Sequence, residues 1–487
     1  MRVLFAHSYF YKLDPKQWRF KQPYPPLGTI QAAAVIREGG HSITLFDSNL
    51  QDGPSAIIPL LQSDNPDVVV IYDDGFNYLT KMCLTVMREA AFVMVRECKK
   101  RGCIVIVSSS DAADRYEKYL EQGVDYVVKG EGEITLKALI DGLEKGEDVR
   151  SLSGIVHSNV GIAQVNTPRS VLRDLDTLPF PAWDLVDITQ YRSIWLKHHG
   201  YFSLNIATTR GCPFKCNWCA KPIYGNRYTS RSPAHVVKEI EFLKREFSPD
   251  HFWISDDIFG LKPGWVAEFR ALVNSKGLKF RFKIQSRVDL LLEEETLNDL
   301  VRAGVDTVWV GAESGSQSIL DGMEKGTTVA EIYAATKRMK EKKIKVGFFL
   351  QFGYPGESRN DIDATLKMLL ELMPDEVGIS ISYPLPGTGF YEKVKGQLRE
   401  KQNWTDSDDL MPMFQSTFSN IYYKELHRYV HTVYQKHKGY RSLQKLFYHP
   451  LRLTLKELKS GIATLYYLPD SIVKRLRLKS FEFESKN

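Results

Sequence analysis

Short apolar runs rich in Val and Ile alternate with longer amphipathic stretches through the first 145 residues of the chain. The short runs predict strands at 2–6, 42–46, 67–72, 103–108 and 125–129. The amphipathic stretches predict helices at 27–38, 55–62, 81–99, 112–121 and 134–144. Nearly continuous Val and Ile strands between helices are typical of a parallel, doubly wound sheet covered on both faces. Residues 1–145 are therefore predicted to form an α/β domain that binds its ligand at the carboxyl ends of the strands.

A second alternation of strands and helices follows residues 146–198, a stretch without helical or strand period that is expected to be an ordered linker. Its strands are predicted at 204–208, 252–255, 281–287, 307–311, 346–352 and 378–383. Six β/α units predict a partial (β/α)6 barrel over residues 199–395, with its site at the strand carboxyl ends. In the third strand Lys283, Gln285 and Arg287 share the lumen face, which predicts a pocket for a polar or charged ligand.

Composition narrows the class of protein. Hydrophobic residues make up 43% and charged residues 25% of the 487, which excludes a disordered chain and a small disulfide-stapled scaffold. No apolar run approaches the ~18 residues that a membrane-spanning helix needs, and the N-terminal apolar stretch is too short for a signal peptide. Six cysteines do not make a disulfide framework in a chain of this size. A cytoplasmic protein is expected.

The last part of the chain, residues 396–487, is expected to be a basic helical region. From Ile421 onwards 14 Lys or Arg stand against five Asp or Glu, whereas the whole chain has a net charge of only +6. One helical stripe is formed by Leu451, Leu455, Leu458 and Ile462, with Arg452, Lys456 and Lys459 beside it. The region either caps the barrel, with the stripe in the core, or contacts the inner face of an anionic membrane peripherally. The cap is the favoured interpretation, because such stripes are more often core.

Three cysteines follow the first predicted barrel strand in the segment Thr209-Arg-Gly-Cys212-Pro-Phe-Lys-Cys216-Asn-Trp-Cys219. A structural zinc site needs four closed ligands, and the next histidine is the distant His251. An electron-transfer iron–sulfur cluster also needs four cysteines. Three thiolates on a four-iron cluster leave one iron open, as a catalytic site requires. The remaining cysteines, Cys83, Cys98 and Cys103, lack such spacing and are expected to be core or helix-surface thiols.

At this motif the chain resembles the radical S-adenosylmethionine (radical SAM) superfamily, and more narrowly the branch with an N-terminal cobalamin-binding domain. The resemblance continues in order over residues 200–395, through Trp253-Ile-Ser-Asp256-Asp257, Ser286-Arg287-Val-Asp289, Gly311-Ala-Glu313-Ser314-Gly315, Gly353-Tyr-Pro-Gly356-Glu357 and Pro384-Leu-Pro386-Gly387. It implies a four-iron four-sulfur cluster whose open iron chelates SAM. Reductive cleavage of SAM then yields a 5′-deoxyadenosyl radical.

The resemblance also implies a role for individual residues of the barrel. Cys212, Cys216 and Cys219 would ligate the cluster. Trp218 is expected beside the adenine, and Gly353 and Gly356 are expected where the backbone approaches it. Asp256 or Asp257 is expected to contact the SAM ammonium group, and Arg287 a carboxylate of SAM or substrate. Glu313 and Ser314 are expected to contact the ribose.

The N-terminal domain resembles the flavodoxin-like cobalamin-binding domain of the same branch. The matching segments are Tyr24-Pro-Pro-Leu27-Gly28 and Val124-Asp-Tyr-Val-Val-Lys-Gly130-Glu-Gly-Glu133. The D-x-H-x-x-G motif is absent, so the resemblance implies cobalamin bound without a protein histidine. Ser109-Ser110 stands where the branch has two small glycines, which narrows the room for the nucleotide tail. No G-x-G-x-x-G fingerprint indicates a dinucleotide instead.

These features predict a cobalamin-dependent radical SAM enzyme that functionalises an unactivated carbon, most simply a C-methyltransferase. A radical SAM cyclase or rearrangement enzyme shares every motif and stays open. An RNA methylthiotransferase would need three further cluster cysteines and a C-terminal β domain, and a non-catalytic iron–sulfur module would not need the SAM-contact positions. The expected partners are a small-molecule or lipid-like substrate and an electron donor such as flavodoxin or ferredoxin, with no DNA.

Overall fold

The computed structural model describes residues 1–82, 84–219, 221, 223–398, 401–448 and 454–484. Cys98 and Cys103 are buried, as core thiols should be, whereas Cys83 lies outside the described residues. Leu451 and Arg452 of the predicted C-terminal stripe also lie outside them. Within the described ranges, no helix combines the length and the hydropathy needed to cross a membrane.

The N-terminal domain is the predicted doubly wound sheet. Its parallel strands are β1 (Arg2–Ala6), β2 (Ser42–Phe46), β3 (Val68–Tyr72), β4 (Ile104–Ser108) and β5 (Tyr126–Val128), in the order β2-β1-β3-β4-β5. Its helices are α1 (Pro15–Phe20), α2 (Leu27–Glu38), α3 (Ile58–Asp64), α4 (Tyr78–Lys81), α5 (Thr85–Lys99), α6 (Ser110–Asp114), α7 (Tyr116–Glu121) and α8 (Glu133–Glu144). Because β3 is buried along its whole length, the sheet needs helices on both faces, and separate apolar clusters lie on its two sides.

The stretch expected to be a linker contains regular structure instead. Strands β6 (Ile155–Asn159) and β7 (Ile162–Val165) form an antiparallel hairpin that extends the N-terminal sheet beside β5. Helix α9 (Ile188–His199) follows. Val160 and Gly161 both have positive φ, 50° and 79°, as the two central residues of a tight hairpin turn do. The strands are short and one of them is largely exposed, so their alternation is weak in the sequence.

The predicted partial barrel is confirmed. Six parallel strands, β8 (Ser203–Ile206), β11 (His251–Ile254), β12 (Arg281–Ser286), β13 (Val305–Glu313), β14 (Lys345–Phe352) and β15 (Glu376–Ile381), lie side by side in chain order. A two-stranded ribbon of β9 (Thr209–Arg210) and β10 (Thr229–Ser230) follows β8. The outer helices are α10 (Pro233–Phe247), α11 (Trp265–Ser275), α12 (Glu294–Ala303), α13 (Gln317–Gly322), α14 (Val329–Glu341), α15 (Arg359–Leu372) and α16 (Gly389–Val394).

The lumen differs from the open polar pocket that strand parity predicts. The extended segment of Pro23, Tyr24 and Pro25, which precedes α2, enters it: the Tyr24 hydroxyl lies 3.1 Å from Ser203 Oγ, and Pro25 O accepts from Asn205 Nδ2 at 3.0 Å. Lys283 does point inward, but its Nζ lies over the rings of Tyr24 and Trp253, 5.3 and 5.0 Å from their centroids. Likewise, Gln351 and Ser382 bond to each other at 3.0 Å. Chain segments thus fill much of the lumen, although Asn205 Oδ1 is buried without a hydrogen-bond partner among the described residues. Polar residues on one strand face therefore do not establish an empty pocket.

The C-terminal region is a helical hairpin of α17 (Asn420–Tyr448) and α18 (Leu455–Glu484). Tyr422, Tyr423 and Val430 of α17 are fully buried, and the Tyr434 hydroxyl donates to Pro374 O at 2.6 Å, so α17 caps the barrel. The prediction that the leucine stripe packs in the core is wrong for its described members. Leu455, Leu458 and Ile462 are 78%, 41% and 61% exposed.

Candidate active site

The three motif cysteines lie in one loop beyond β9, at the carboxyl ends of the barrel strands, and each is partly exposed. Burial raises the pKa of the Cys212 thiol and brings that of Cys219 to about 12, while Lys221 acts in the opposite direction on both. The charges of Cys212 and Cys216 also raise the pKa of Cys219, so the three thiols lie within electrostatic range of one another. Three thiols in a partly exposed loop match the donor set of a three-thiolate cluster, and bound iron would offset the cost of ionising them.

Among the described residues, no three His, Cys, Asp or Glu side chains converge as they would around a single metal ion.

Asn217 fixes the cysteine loop between two neighbouring segments of the barrel. Its backbone N–H donates to Met323 O at 3.0 Å, and its Nδ2 donates to Gly322 O at 2.8 Å, at the end of α13. Its carbonyl accepts from Phe390 N at 2.8 Å, at the start of α16. The Tyr354 hydroxyl donates to Gly322 O at 2.6 Å and lies 3.1 Å from Asn217 Oδ1. Cys216 and Cys219 are therefore held on a rigid support, as a preorganised site requires.

Two adjacent carboxylates after β11 face different surroundings. Asp256 is buried and accepts from the backbone N–H groups of Thr208 and Thr209 at 2.6 and 3.0 Å, so it ties β11 to the end of β8. Burial raises the pKa of Asp256 to about 6. Asp257 instead accepts from Lys81 Nζ of the N-terminal domain at 2.6 Å and acts electrostatically on Cys219. Of the two, only Asp257 faces the cysteine loop.

Two cations lie on the other side of the loop. The Arg287 guanidinium stacks 3.7 Å from the centre of the Phe214 ring and donates to the backbone carbonyl of Lys325 at 3.0 Å. Lys325 Nζ donates to Glu313 Oε1 at 2.9 Å and lies 5.8 Å from the centre of the Trp218 ring. Arg287 and Glu313 thus lie near the cysteine loop, which contains Trp218, and Lys325 joins them.

Other predicted residues serve the packing of the strand ends. Ser314 is fully buried, with its hydroxyl 3.0 Å from Thr365 Oγ1, and does not reach the loop. Gly353 has φ of +77° and donates from its N–H to Glu357 Oε2 at 2.6 Å. Gly356 has φ of +81° with open space around its α-carbon, so the backbone there remains accessible to a ligand. The contacts of these residues with SAM stay predictions.

Glu357 is a buried carboxyl whose ionisation opposes folding. Burial raises its pKa from 4.5 to about 8. Between pH 4.5 and about pH 8 the Glu357 carboxyl keeps its proton in the folded state but has lost it in the unfolded state. The free energy of unfolding is therefore highest below about pH 4.5 and falls as the pH rises toward 8. Glu357→Gln keeps an acceptor for Gly353 and should lose less stability than the native chain between pH 5 and 8, by roughly 2 kcal/mol. Urea unfolding at several pH values measures this, with exposed Glu341→Gln as the control. Parallel pH profiles for the native chain and Glu357→Gln would contradict it.

The carboxyl edge of the N-terminal sheet is built from small residues. The amides of Leu27 and Gly28, at the start of α2, donate to the buried Asp74 at 3.2 and 3.0 Å. Ser109 caps α6 by accepting from the backbone N–H of Ala112, and its neighbour Ser110 is buried. Gly130, beyond β5, has φ of +78°. Leu27, Gly28, Ser109, Ser110 and Gly130 all lie at this edge, where a parallel sheet binds its ligand.

The same edge faces the segment that follows the third cysteine. Ile223 and Tyr224 cover Gly75, and the carbonyl of Ile223 lies 3.7 Å from where a Cβ on Gly130 would be. The Tyr224 ring stacks on Phe76 with centroids 5.7 Å apart. The small residues fit a flat cofactor laid on the edge, but a corrin ring would need the Ile223–Tyr224 segment to move aside.

Arg210 joins the two domains at this interface. It is buried, and its guanidinium donates to Glu133 Oε1 at 2.7 Å and to Glu131. Glu131 lies in the loop after β5 and Glu133 is the first residue of α8, whereas Arg210 lies two residues before Cys212. A buried cation between two carboxylates fixes the cysteine loop to the edge of the N-terminal sheet.

A model of the radical SAM superfamily matches residues 206–369, which include the cysteine loop and the strand ends described above. These residues form a radical SAM domain. An uncharacterized methyltransferase of Pyrococcus horikoshii is 27% identical over 408 residues, which cover 82% of this chain and 85% of the relative. An anaerobic magnesium-protoporphyrin IX monomethyl ester cyclase of Synechocystis is 25% identical over 377 residues, which cover 76% and 73%.

The fold is also that of a solved radical SAM enzyme. OxsB, a cobalamin-dependent S-adenosylmethionine radical enzyme with aqua-cobalamin bound, superposes with a TM-score of 0.74 at 16% identity. The superposition covers 98% of this chain and 72% of OxsB. The likeness extends through the N-terminal sheet, the partial barrel and the C-terminal helices, so all three parts form one known architecture.

Sequence reasoning missed several residues that shape this radical SAM site. The sequence assigned no role to Asn217, Lys325, Arg210 or Asp74. Their signal was position: Arg210 lies directly before the Gly-Cys of the motif, and Asp74 is the second residue after the buried strand β3. Position alone does not reveal which distant chain segment each one contacts.

Proposed function

We propose that this radical SAM enzyme binds cobalamin and transfers a methyl group to an unactivated carbon. The observation that carries the proposal is the direct apposition of the cysteine loop and the carboxyl edge of the N-terminal sheet. Lys81 of that domain pairs with Asp257 beside Cys219, and Tyr224 packs on Gly75. With both cofactors bound, the cluster would supply reductive SAM cleavage and cobalamin the methyl carrier.

Different residues would bind the cluster and SAM. Cys212, Cys216 and Cys219 would hold the cluster, and Asp257 and Arg287 carry the charges that complement the ammonium and carboxylate of SAM. Trp218 offers an aromatic face beside the loop. A reduced flavodoxin or ferredoxin is the proposed electron donor, which the partly exposed cysteine loop could face.

Leu27, Gly28, Ser109, Ser110 and Gly130 would line the cobalamin side. Gly28, Ser109, Ser110 and Gly130 are small residues where a flat ring would lie, and Gly130 faces the carbonyl of Ile223 in the segment after the third cysteine. His7 is the histidine after β1, but it is buried and lies 3.2 Å from Asp47. Cobalamin without a protein histidine ligand is therefore proposed.

A matched pair of glycine variants tests the cobalamin side. Gly130→Leu places a side chain at the domain interface, whereas Gly102→Leu places one in open space before β4. Both glycines have positive φ, 78° and 73°, so the two substitutions introduce similar backbone strain. After anaerobic incubation with hydroxocobalamin and gel filtration, the native chain and Gly102→Leu should retain about one cobalamin per chain. Gly130→Leu should retain at least tenfold less. Equal retention by both variants would contradict the assigned edge.

A cyclase is the second candidate, because the Synechocystis relative carries that name. The products separate the two reactions. Methyl transfer from SAM leaves S-adenosylhomocysteine, whereas reductive cleavage leaves methionine and 5′-deoxyadenosine. The reconstituted enzyme with dithionite and methyl-labelled SAM should form both nucleoside products if it is a methyltransferase. Formation of 5′-deoxyadenosine alone, with cobalamin bound and label never transferred to any acceptor in an extract, would favour the cyclase.

A further inference from the structure

Helix α18 has its amphipathic faces reversed relative to a helix that caps a soluble core. The face toward α17 carries small or polar residues: Gly461 approaches Leu443, and Thr464 lies so close to Gly439 that a Cβ there would collide with it. Ser471 Oγ lies 3.3 Å from Lys436 Nζ. Close approach through small residues is how helices pack where the surroundings are themselves apolar.

Most large apolar side chains of α18 point away from the protein, whereas Leu478, near the end of the helix, is buried. The exposed ones recur at helical spacing as Leu455, Leu458, Ile462, Leu465, Tyr466, Ile472, Val473 and Leu476, and each is between 41% and 79% exposed. We call this set the outer stripe. A continuous exposed stripe over about six turns is more than the scattered apolar residues of an ordinary surface and indicates an interaction face.

Exposed cations flank the outer stripe. Lys459, Arg475, Arg477 and Lys479 are exposed, whereas the acidic Glu457 and Asp470 are engaged by Lys445 and Lys474, both at 2.6 Å. The charge displayed beside the stripe is therefore positive. A second copy of the chain would bring like charges together, whereas an anionic surface complements them.

The geometry points to peripheral docking of the outer stripe on an anionic lipid bilayer. A helix with an apolar face between Lys and Arg residues lies in the plane of the interface, with that face in the acyl boundary and its cations at the headgroups. Tyr448 and Tyr466, 79% and 67% exposed, suit the headgroup level. Docking would leave the α17 contacts with the barrel unchanged.

Vesicle sedimentation of the full chain tests the proposal. The native chain should pellet with vesicles of phosphatidylglycerol and phosphatidylcholine at low salt, less at 0.5 M salt, and not with phosphatidylcholine alone. The combined variant Ile462→Gln, Leu465→Gln, Leu476→Gln should lower the partition coefficient at least tenfold. The variant Lys459→Gln, Arg475→Gln, Arg477→Gln should lower it similarly and remove the salt dependence.

A control variant separates the outer stripe from surface hydrophobicity in general. Ile134→Gln, Leu196→Gln, Val301→Gln removes three exposed apolar residues on other helices and should pellet like the native chain. Absence of pelleting by the native chain, or equal pelleting of the stripe variant, would overturn the proposal. So would light scattering that shows a dimer lost in the stripe variant, since a second copy would then cover the face.

Discussion

Replacement of Cys219 by Ala is expected to reduce the formation of 5′-deoxyadenosine from SAM to background, a loss of at least a thousandfold. Cys219 is one of three thiols in a single loop, so two thiolates would remain for a cluster that needs three. The measurements are iron per chain after anaerobic reconstitution and 5′-deoxyadenosine by chromatography. The urea midpoint should change little, because Asn217 holds the loop independently of the thiols.

Cys103→Ala is the matched control for this prediction. Cys103 is also a free thiol, but it is buried in the N-terminal core with its Sγ 3.4 Å from Pro66 O. It should keep its iron and its product formation and lose only a modest amount of stability. If Cys219→Ala still cleaved SAM at the native rate, the assignment of the cysteine loop as the cluster site would be refuted.

Arg210→Met is expected to lower the free energy of unfolding by about 3–5 kcal/mol, because it leaves Glu131 and Glu133 without their buried counter-cation. The loss should appear as a lower urea midpoint followed by tryptophan fluorescence. Since Arg210 lies beside the cysteine loop, iron retention should fall as well.

Two further variants distinguish the ion pairs from lost packing. Arg210→Lys keeps the charge and should lose less stability than Arg210→Met. The combination of Arg210→Met with Glu131→Gln and Glu133→Gln removes the buried charges together and should recover much of the loss. An unchanged urea midpoint for Arg210→Met would show that the guanidinium contributes nothing to the domain junction.

Much of the architecture could be predicted from the sequence because buried parallel strands are nearly continuous apolar runs. The five strands of the N-terminal domain and the six of the barrel fall where those runs lie. The hairpin of β6 and β7 was not predicted, because its strands are short and β7 is largely exposed. The cysteine loop was predictable because its chemistry lies in one contiguous segment.

Other parts of the site depend on contacts that sequence spacing does not encode. Asp256 and Asp257 are neighbours, yet one binds backbone amides and the other pairs with Lys81 from a different domain. The stripe of α18 was recognised as apolar, but periodicity does not say whether such a face points into the protein or away from it. The orientation of α18 follows from the close contact between Gly439 of α17 and Thr464 of α18, because these small residues bring the polar face of α18 against α17.

The entry of Tyr24 into the barrel lumen has a consequence for how this architecture can be recombined. Chimeric enzymes are commonly designed by joining whole domains at their linkers, but here a cut within 146–198 would separate Ser203 and Lys283 from the aromatic ring that covers them. A barrel paired with a foreign N-terminal domain would expose that cation and leave a void beneath the strand ends. A successful chimera would therefore have to keep the native Pro23–Pro25 segment together with the barrel. In evolution, substitutions in this segment are expected to accompany substitutions in the lumen more than those in the rest of the N-terminal domain.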